Sequence, residues 1–226
     1  MRNRSVIAWV SLATVSWTLS LASCAANPKP VDEDRATGFA IYRSGQLDAK
    51  EISELCDLGV REILVMDGGA RRKECRLRSE ICPDLKVRYN HSQDAYTPVS
   101  RDFLAAFDAW VQDSKAKGRK ISFRCRHGWH RAGRLSAYYR MRFNAWSPDA
   151  AIEEMLEMGR YMDSHPQLPL QVAAMADQLA QRPCSQSPEH CPRDSSADAE
   201  GLLGSGHDVV FAADLCSETD RSGEAP

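Results

Sequence analysis

Four short apolar runs, FAIYRSGQ (39–46), REILVMD (61–67), LKVRYN (85–90) and KISFR (120–124), alternate with longer segments whose apolar residues recur at helical spacing. That alternation constrains the fold more than any other feature of the chain. REILVMD is apolar enough for a strand covered on both faces. The pattern therefore predicts an α/β fold: a central, mostly parallel sheet flanked by helices. Its 226 residues suffice for one domain with a full core.

The helical segments carry their own boundary signals. In SRDFLAAFDAWVQDSKAKG, Phe103, Leu104, Phe107, Trp110 and Val111 fall on one face, Ser100 can cap and Gly118 can terminate. DAKEISELCDLG turns Ile52, Leu55, Cys56 and Leu58 inward and stops at Gly59. Ser147 and Pro148 open AIEEMLEMG, and LPLQVAAMADQLAQ supplies the last helix. Residues 68–84, holding Cys75 and Cys82, read as a charged loop.

KISFR passes through FRCRHGWHRAGR into AGRLSAYYRMRF, a strand, a tight loop and a helix. Open α/β sheets bind ligands at such a strand end. Loop amides and the helix N-terminus would face an anion there. Five residues separate Cys125 from Arg131, with Gly128 for the tight loop and Gly133 to let the helix start close to the sheet. A thiol among these positive charges would be held as thiolate, the form that is nucleophilic.

This Cys-x5-Arg loop resembles that of the cysteine-dependent protein tyrosine phosphatases, nearest the dual-specificity branch. YRSGQ is similar to that branch's opening strand, and GRLSAYYRM with AIEEMLEMG to its later helices, so the resemblance spans roughly residues 39 to 180. It implies a phosphate monoester hydrolase acting on phosphotyrosine or dual-specificity protein substrates through a cysteinyl-phosphate intermediate. Cys125 would be the nucleophile and Arg131 the clamp on phosphate oxygens, while Arg126, His127, Gly128, Trp129, His130, Ala132 and Gly133 would line the substrate loop. Asp94 in HSQDAYTP, 31 residues before Cys125, would be the general acid, with Asp102 in reserve.

Two residues depart from the family pattern. Arg124 replaces a histidine that supports the thiolate, and Ala132 replaces a hydroxyl that helps the sulfur leave, so turnover would be slow. Arg124, Arg126 and Arg134, with His127 and His130, could instead form a pocket for several phosphates. The alternatives are therefore an inositol polyphosphate or other small-polyanion phosphatase, and a weakly catalytic phosphate-binding module. A rhodanese-like sulfurtransferase would leave Asp94 without a role. The partner is then a phosphorylated protein or small phosphorylated molecule. A net charge of −2 gives no indication of nucleic acid, and no Cys-x2-Cys pair suggests a metal or other cofactor.

Arg2 and Arg4 precede an uncharged stretch, Ser5 to Ser20, and LASC ends at Cys24, similar to a bacterial lipoprotein signal. The organisation expected is a signal over 1–23, a polar tether over 24–38, the phosphatase-like domain over 39–182 and an acidic, disordered tail over 183–226. The mature protein would be exported to the periplasm and anchored to the outer membrane through lipid on Cys24. Residues 183–226 carry nine acids against two arginines, while residues 24–182 sum to +3. In an oxidising compartment the remaining cysteines suggest disulfides, favouring Cys75–Cys82 and Cys184–Cys191, with Cys56 a buried free thiol.

Overall fold

The computed structural model describes residues 28–68, 71–90, 92–194, 211 and 213–216. The signal stretch and Cys24 lie outside them, as does most of the acidic tail. All four apolar runs are strands: β2 (Phe39–Ser44), β3 (Val60–Val65), β4 (Lys86–Asn90) and β5 (Lys120–Arg124). They lie in one sheet of order β1-β2-β5-β3-β4, parallel throughout except for β1.

That first strand, β1 (Lys29–Asp34), falls in the segment read as a tether. It pairs antiparallel with β2 and is irregular between Pro30 and Asp32. Proline is tolerated there because β1 is an edge strand. Val31 enters the core, while Tyr139 Oη and Asn144 Nδ2 donate to Asp32 at 2.6 and 3.0 Å. The sheet thus begins about ten residues before the first strand that apolar patterning suggests.

Helices α1 (Ala49–Asp57), α3 (Arg101–Ala116), α5 (Pro148–Met158) and α6 (Gln167–Leu179) occupy their expected places. Ser100 Oγ accepts from the amide of Phe103, and Ser147 Oγ from that of Ala150, each at 3.2 Å. Such caps contribute about 1 kcal/mol each. The five inward residues of α3 are all buried, and burying a side chain of that size stabilises by roughly 1.5–3 kcal/mol. They share one core cluster with the faces of α4 (His130–Phe143), α5 and α6, and with Ile121, Phe123 and Cys125 of the central strand and its end.

The opposite face of the sheet is covered by α1 and by a helix where a loop was expected, α2 (Arg71–Ile81). Cys56 bonds Cys82, and Cys75 bonds Cys216, so neither the proposed Cys75–Cys82 bridge nor a free Cys56 is present. Cys184–Cys191 forms as expected. Cys75 and Cys82 lie seven residues apart, two helical turns, and so fall on one face of the segment, where each reaches a different partner. The covalent cross-links hold a helix whose other residues are mostly charged.

The described residues of the segment expected to be a disordered tail pack against the domain. Residues 183–194 fold around Cys184–Cys191, and Arg101 N donates to Arg193 O at 2.8 Å. Phe211 packs on Tyr89, Phe103 and Trp110, and Asp214 pairs with Arg78 at 2.8 Å. Phe211 and Cys216 thus belong to the core.

Candidate active site

Cys125 follows the last residue of β5, buried, and is the free cysteine among the described residues. The loop from 125 to 129 rests on the turn after β2. Cys125 N donates to Ser44 O at 3.4 Å, and Gln46 N to Arg126 O at 2.9 Å. Gly128 has φ +76°, and a Cβ there would sit 2.7 Å from Gly45 N and 2.9 Å from Ser44 C. Both the backbone conformation and the backbone contact therefore require glycine. A Cβ on Gly133 would lie 3.1 Å from Met155 Cγ on α5 and 3.9 Å from Arg43 Nη1 on β2, so the tighter approach it allows is that of α4 to α5.

α4 begins at His130 with Trp129 at its cap and no side-chain oxygen on its first amides. Those amides have no partner within the helix. They and the helix dipole form an anion-binding terminus beside Cys125.

Arg131 joins this loop to two others. Its Nη1 donates to Met66 O, after β3, at 2.8 Å and to Gln93 O, after β4, at 2.9 Å. With Nη1 anchored there, the Nε and Nη2 edge can present the fork that grips two oxygens of a phosphate. Gln93 adjoins Asp94, so the same guanidinium positions the segment of the candidate acid.

Asp94 is exposed; its Oδ1 accepts from Tyr96 N at 3.0 Å and its Oδ2 from Thr97 Oγ1 at 3.4 Å. Arg134 holds the segment from below, donating to Thr97 O at 2.7 Å, to Asp94 O at 3.3 Å and to Gln171 Oε1. Gln171 Nε2 in turn donates to Tyr96 O at 2.9 Å, and Gln167 Nε2 to Ala95 O at 3.2 Å. Burial, then the charge of Arg131, pulls Arg134 down to about 10, which leaves it a cation at neutral pH. Asp102 sits in the first turn of α3, as expected of an acid there. The converging bonds of Arg131 and Arg134 favour Asp94 over it.

Two arginines read as pocket cations point elsewhere. Arg134 is buried beneath the acid segment. Arg124 is fully buried and pairs with Asp67 and Glu74. Strand alternation explains the second case: Arg124 precedes Cys125, so it faces α2 while the cysteine faces α4. Burial pushes Glu74 up, and Arg124 opposes that shift. Because Met66 N also donates to Arg124 O at 2.9 Å, this ion cluster fixes the segment that anchors Arg131. Arg124→Met takes the cation away from the fully buried Glu74 carboxylate and from Asp67, and is expected to cost about 3–5 kcal/mol of stability, measured by urea unfolding with disulfides intact. A loss under about 1 kcal/mol would mean the cluster is not a structural one.

One cation was not visible as a site residue from the sequence. Arg43 on β2 shares the face of Phe123 and Cys125, is buried, and donates to Met158 O at 3.5 Å. Its Nη1 is buried without a hydrogen-bond partner. Burial pulls its pKa down; the charges of Glu154 and Cys125 oppose that shift, and Arg140 adds to it. The alternation of FAIYR places Arg43 inward, a signal that the sequence carries but that a search for loop residues passes over.

Around the mouth of the loop, Arg126 and His127 are exposed and Trp129 and His130 half-buried. His127 stacks on Trp129 with ring centroids 5.6 Å apart, and His130 Nε2 meets Arg160 O at 2.9 Å. Ala132 is buried in the first turn of α4 and belongs to the apolar core cluster.

No family model matches the sequence, and no curated protein matches it. Solved structures do. PTPMT1 is similar at 14% identity with a TM-score of 0.52, over 68% of this chain and 96% of that one. A mutant form of Tk-PTP is similar at 17% identity with a TM-score of 0.50, over 63% and 91%. A variant of TpbA of P. aeruginosa, solved in complex with pTyr, is similar at 18% identity with a TM-score of 0.48, over 69% and 98%. The fold is that of the protein tyrosine phosphatase-like domains.

Proposed function

We propose that the chain is a cysteine-dependent phosphatase that hydrolyses phosphate monoesters, phosphotyrosine or dual-specificity protein substrates being the first class to test. The observation that carries this reading is the loop from Cys125 to Arg131, wedged between β5 and an uncapped helix terminus and tied through Arg131 to the segment of Asp94. The Cys125 thiolate attacks phosphorus, the bond to the leaving oxygen breaks, and Asp94 gives that oxygen a proton. Asp94, now a carboxylate, takes a proton from water as the water oxygen attacks phosphorus and the S–P bond breaks. Thiolate and carboxylic acid are restored. Arg131 and the loop amides hold the non-bridging oxygens through both steps. A sulfurtransferase would make no use of Asp94, and a pure binding module would need no acid segment stitched to its anion loop.

Export is part of the proposal, with lipid on Cys24 as anchor. Three disulfides support it, since such bonds persist in oxidising compartments.

The test follows from Ala132. A hydroxyl donor to the departing sulfur is worth about 1.5 to 3 kcal/mol, so its absence slows the second step by about 10-fold to 150-fold. With an aryl phosphate, rapid quenching should show a burst of phenol, then a slow steady state with phosphate trapped on Cys125. Ala132→Ser should raise the steady rate by a similar factor and leave the burst rate nearly unchanged. Absence of both burst and turnover, with phosphate still bound, would favour the binding module.

A further inference from the structure

The mouth of the loop carries a cluster of basic and aromatic side chains, some of which come from a part of the chain remote from the phosphate loop. Arg160, Tyr161 and His165 lie between α5 and α6, and the segment reaches back over Trp129 and His130. His130 and His165 stack with centroids 3.8 Å apart, Arg160 Cζ lies 5.4 Å from the Trp129 ring centroid, and Tyr161 is 5.9 Å from Trp129. Tyr161 reaches this place with φ +57°, a left-handed backbone that a tyrosine rarely adopts. On the far side Tyr96, next in the chain but one to Asp94, stacks on His165 at 5.4 Å.

Burial pulls the His130 imidazole down, and the charges of His165, His127 and Arg131 add to that, against the Arg160 carbonyl which favours the cation. A second anion on this rim would oppose that shift, since it favours the protonated imidazole of His130.

Resting on the phosphatase reading, we propose that the rim formed by His127, His130, Arg160 and His165 is a subsite for a second phosphoryl group, and that the preferred substrate is a small molecule with phosphates on neighbouring carbons. Proximity argues for the small molecule. His130 opens α4, whose uncapped first turn is the anion-binding terminus, and the charge of Arg131 acts on it, so a group that touches His130 lies close beside the cradled phosphate. Successive residues of an extended peptide are ~3.3–3.6 Å apart along the backbone, and a phosphotyrosine phosphate projects well beyond it, so flanking acids on a peptide fall away from the loop. The cluster also replaces the one expected from sequence: Arg124 and Arg134 turn inward, and Arg160 and His165 take up the outward role.

The test measures binding to the Cys125→Ser protein by calorimetry at pH 7.5, with inositol 1-phosphate and inositol hexakisphosphate as probes. The ratio of their Kd values should favour the hexakisphosphate by about 10²-fold. His165→Gln and Arg160→Gln should each lower that ratio by about 10-fold, the scale of one charged hydrogen bond, with melting temperature reporting on the fold. A ratio untouched by both variants overturns the proposal. A phosphotyrosine peptide flanked by glutamate that binds more tightly than the hexakisphosphate, with the same His165 dependence, assigns the rim to proteins instead. If neither inositol ligand nor inorganic phosphate binds, the phosphate loop itself fails and the rim falls with it; phosphate binding without the preference isolates the failure to the rim.

Discussion

Cys125→Ser is expected to remove hydrolysis, leaving less than about one part in 10⁴ of the wild-type rate, while inorganic phosphate still binds. Serine fits the space of a side chain that is already buried, and the loop is shaped by Gly128, the Ser44 and Gln46 backbone and the start of α4 rather than by the thiol. A hydroxyl, however, is far less acidic than a thiol and supplies no anion for attack. Arg131→Lys should fail differently. An ammonium cannot offer two parallel donors to phosphate, and it also cannot span the carbonyls of Met66 and Gln93 in the same way. Weaker phosphate binding and slower chemistry should therefore appear together in that variant, whereas Cys125→Ser loses chemistry alone. Retained turnover in the serine variant, or wild-type rates in the lysine variant, would remove the respective residue from its role.

The parts of the molecule legible in the sequence are those fixed by local periodicity. FAIYRS, REILV and KISFR are strands because their apolar alternation or runs leave no other way to bury them, and Ser100 and Ser147 cap because their side chains reach amides three residues on. Long-range partners are another matter. Cys75 is 141 residues from Cys216, and no local signal links them, so α2 reads as a loop in a sequence that does not show the bridges supplying its missing apolar contacts. β1 has one buried apolar side chain, Val31, and owes its place to hydrogen bonds with β2. In the site, the order Cys125, Gly128, Arg131 is readable because one turn and one helix start fix it. The direction of each flanking arginine is not, since Arg124 follows strand parity and Arg134 follows the buried face of α4. Arg43, Arg160 and His165 enter from other segments, and only the folded chain brings them to the loop.

Asp94→Asn should slow the release of poor leaving groups, such as alkyl alcohols, by about 10² to 10⁴-fold, and that of a good leaving group such as nitrophenol by much less. The substitution is a clean one. The asparagine carbonyl can keep the bond that Oδ1 accepts from Tyr96 N, and the carbonyls of Gln93, Asp94, Ala95, Tyr96 and Thr97 remain held by Arg131, Arg134, Gln167 and Gln171. The segment should therefore stay in place while losing its proton. If Asp94 acted by holding the segment rather than by proton transfer, both classes of substrate would be affected alike, and Gln171→Leu would reproduce the asparagine phenotype. If proton transfer is its task, Gln171→Leu should depress both classes by a common smaller factor, because it loosens the loop without removing the acid. A selective loss in Asp102→Asn with none in Asp94→Asn would move the acid to α3. The comparison is made with a series of aryl and alkyl phosphates graded by leaving-group acidity. A steeper dependence of rate on that acidity in Asp94→Asn than in the unmodified protein is the signature of a missing general acid, because the leaving oxygen must then carry its charge unaided.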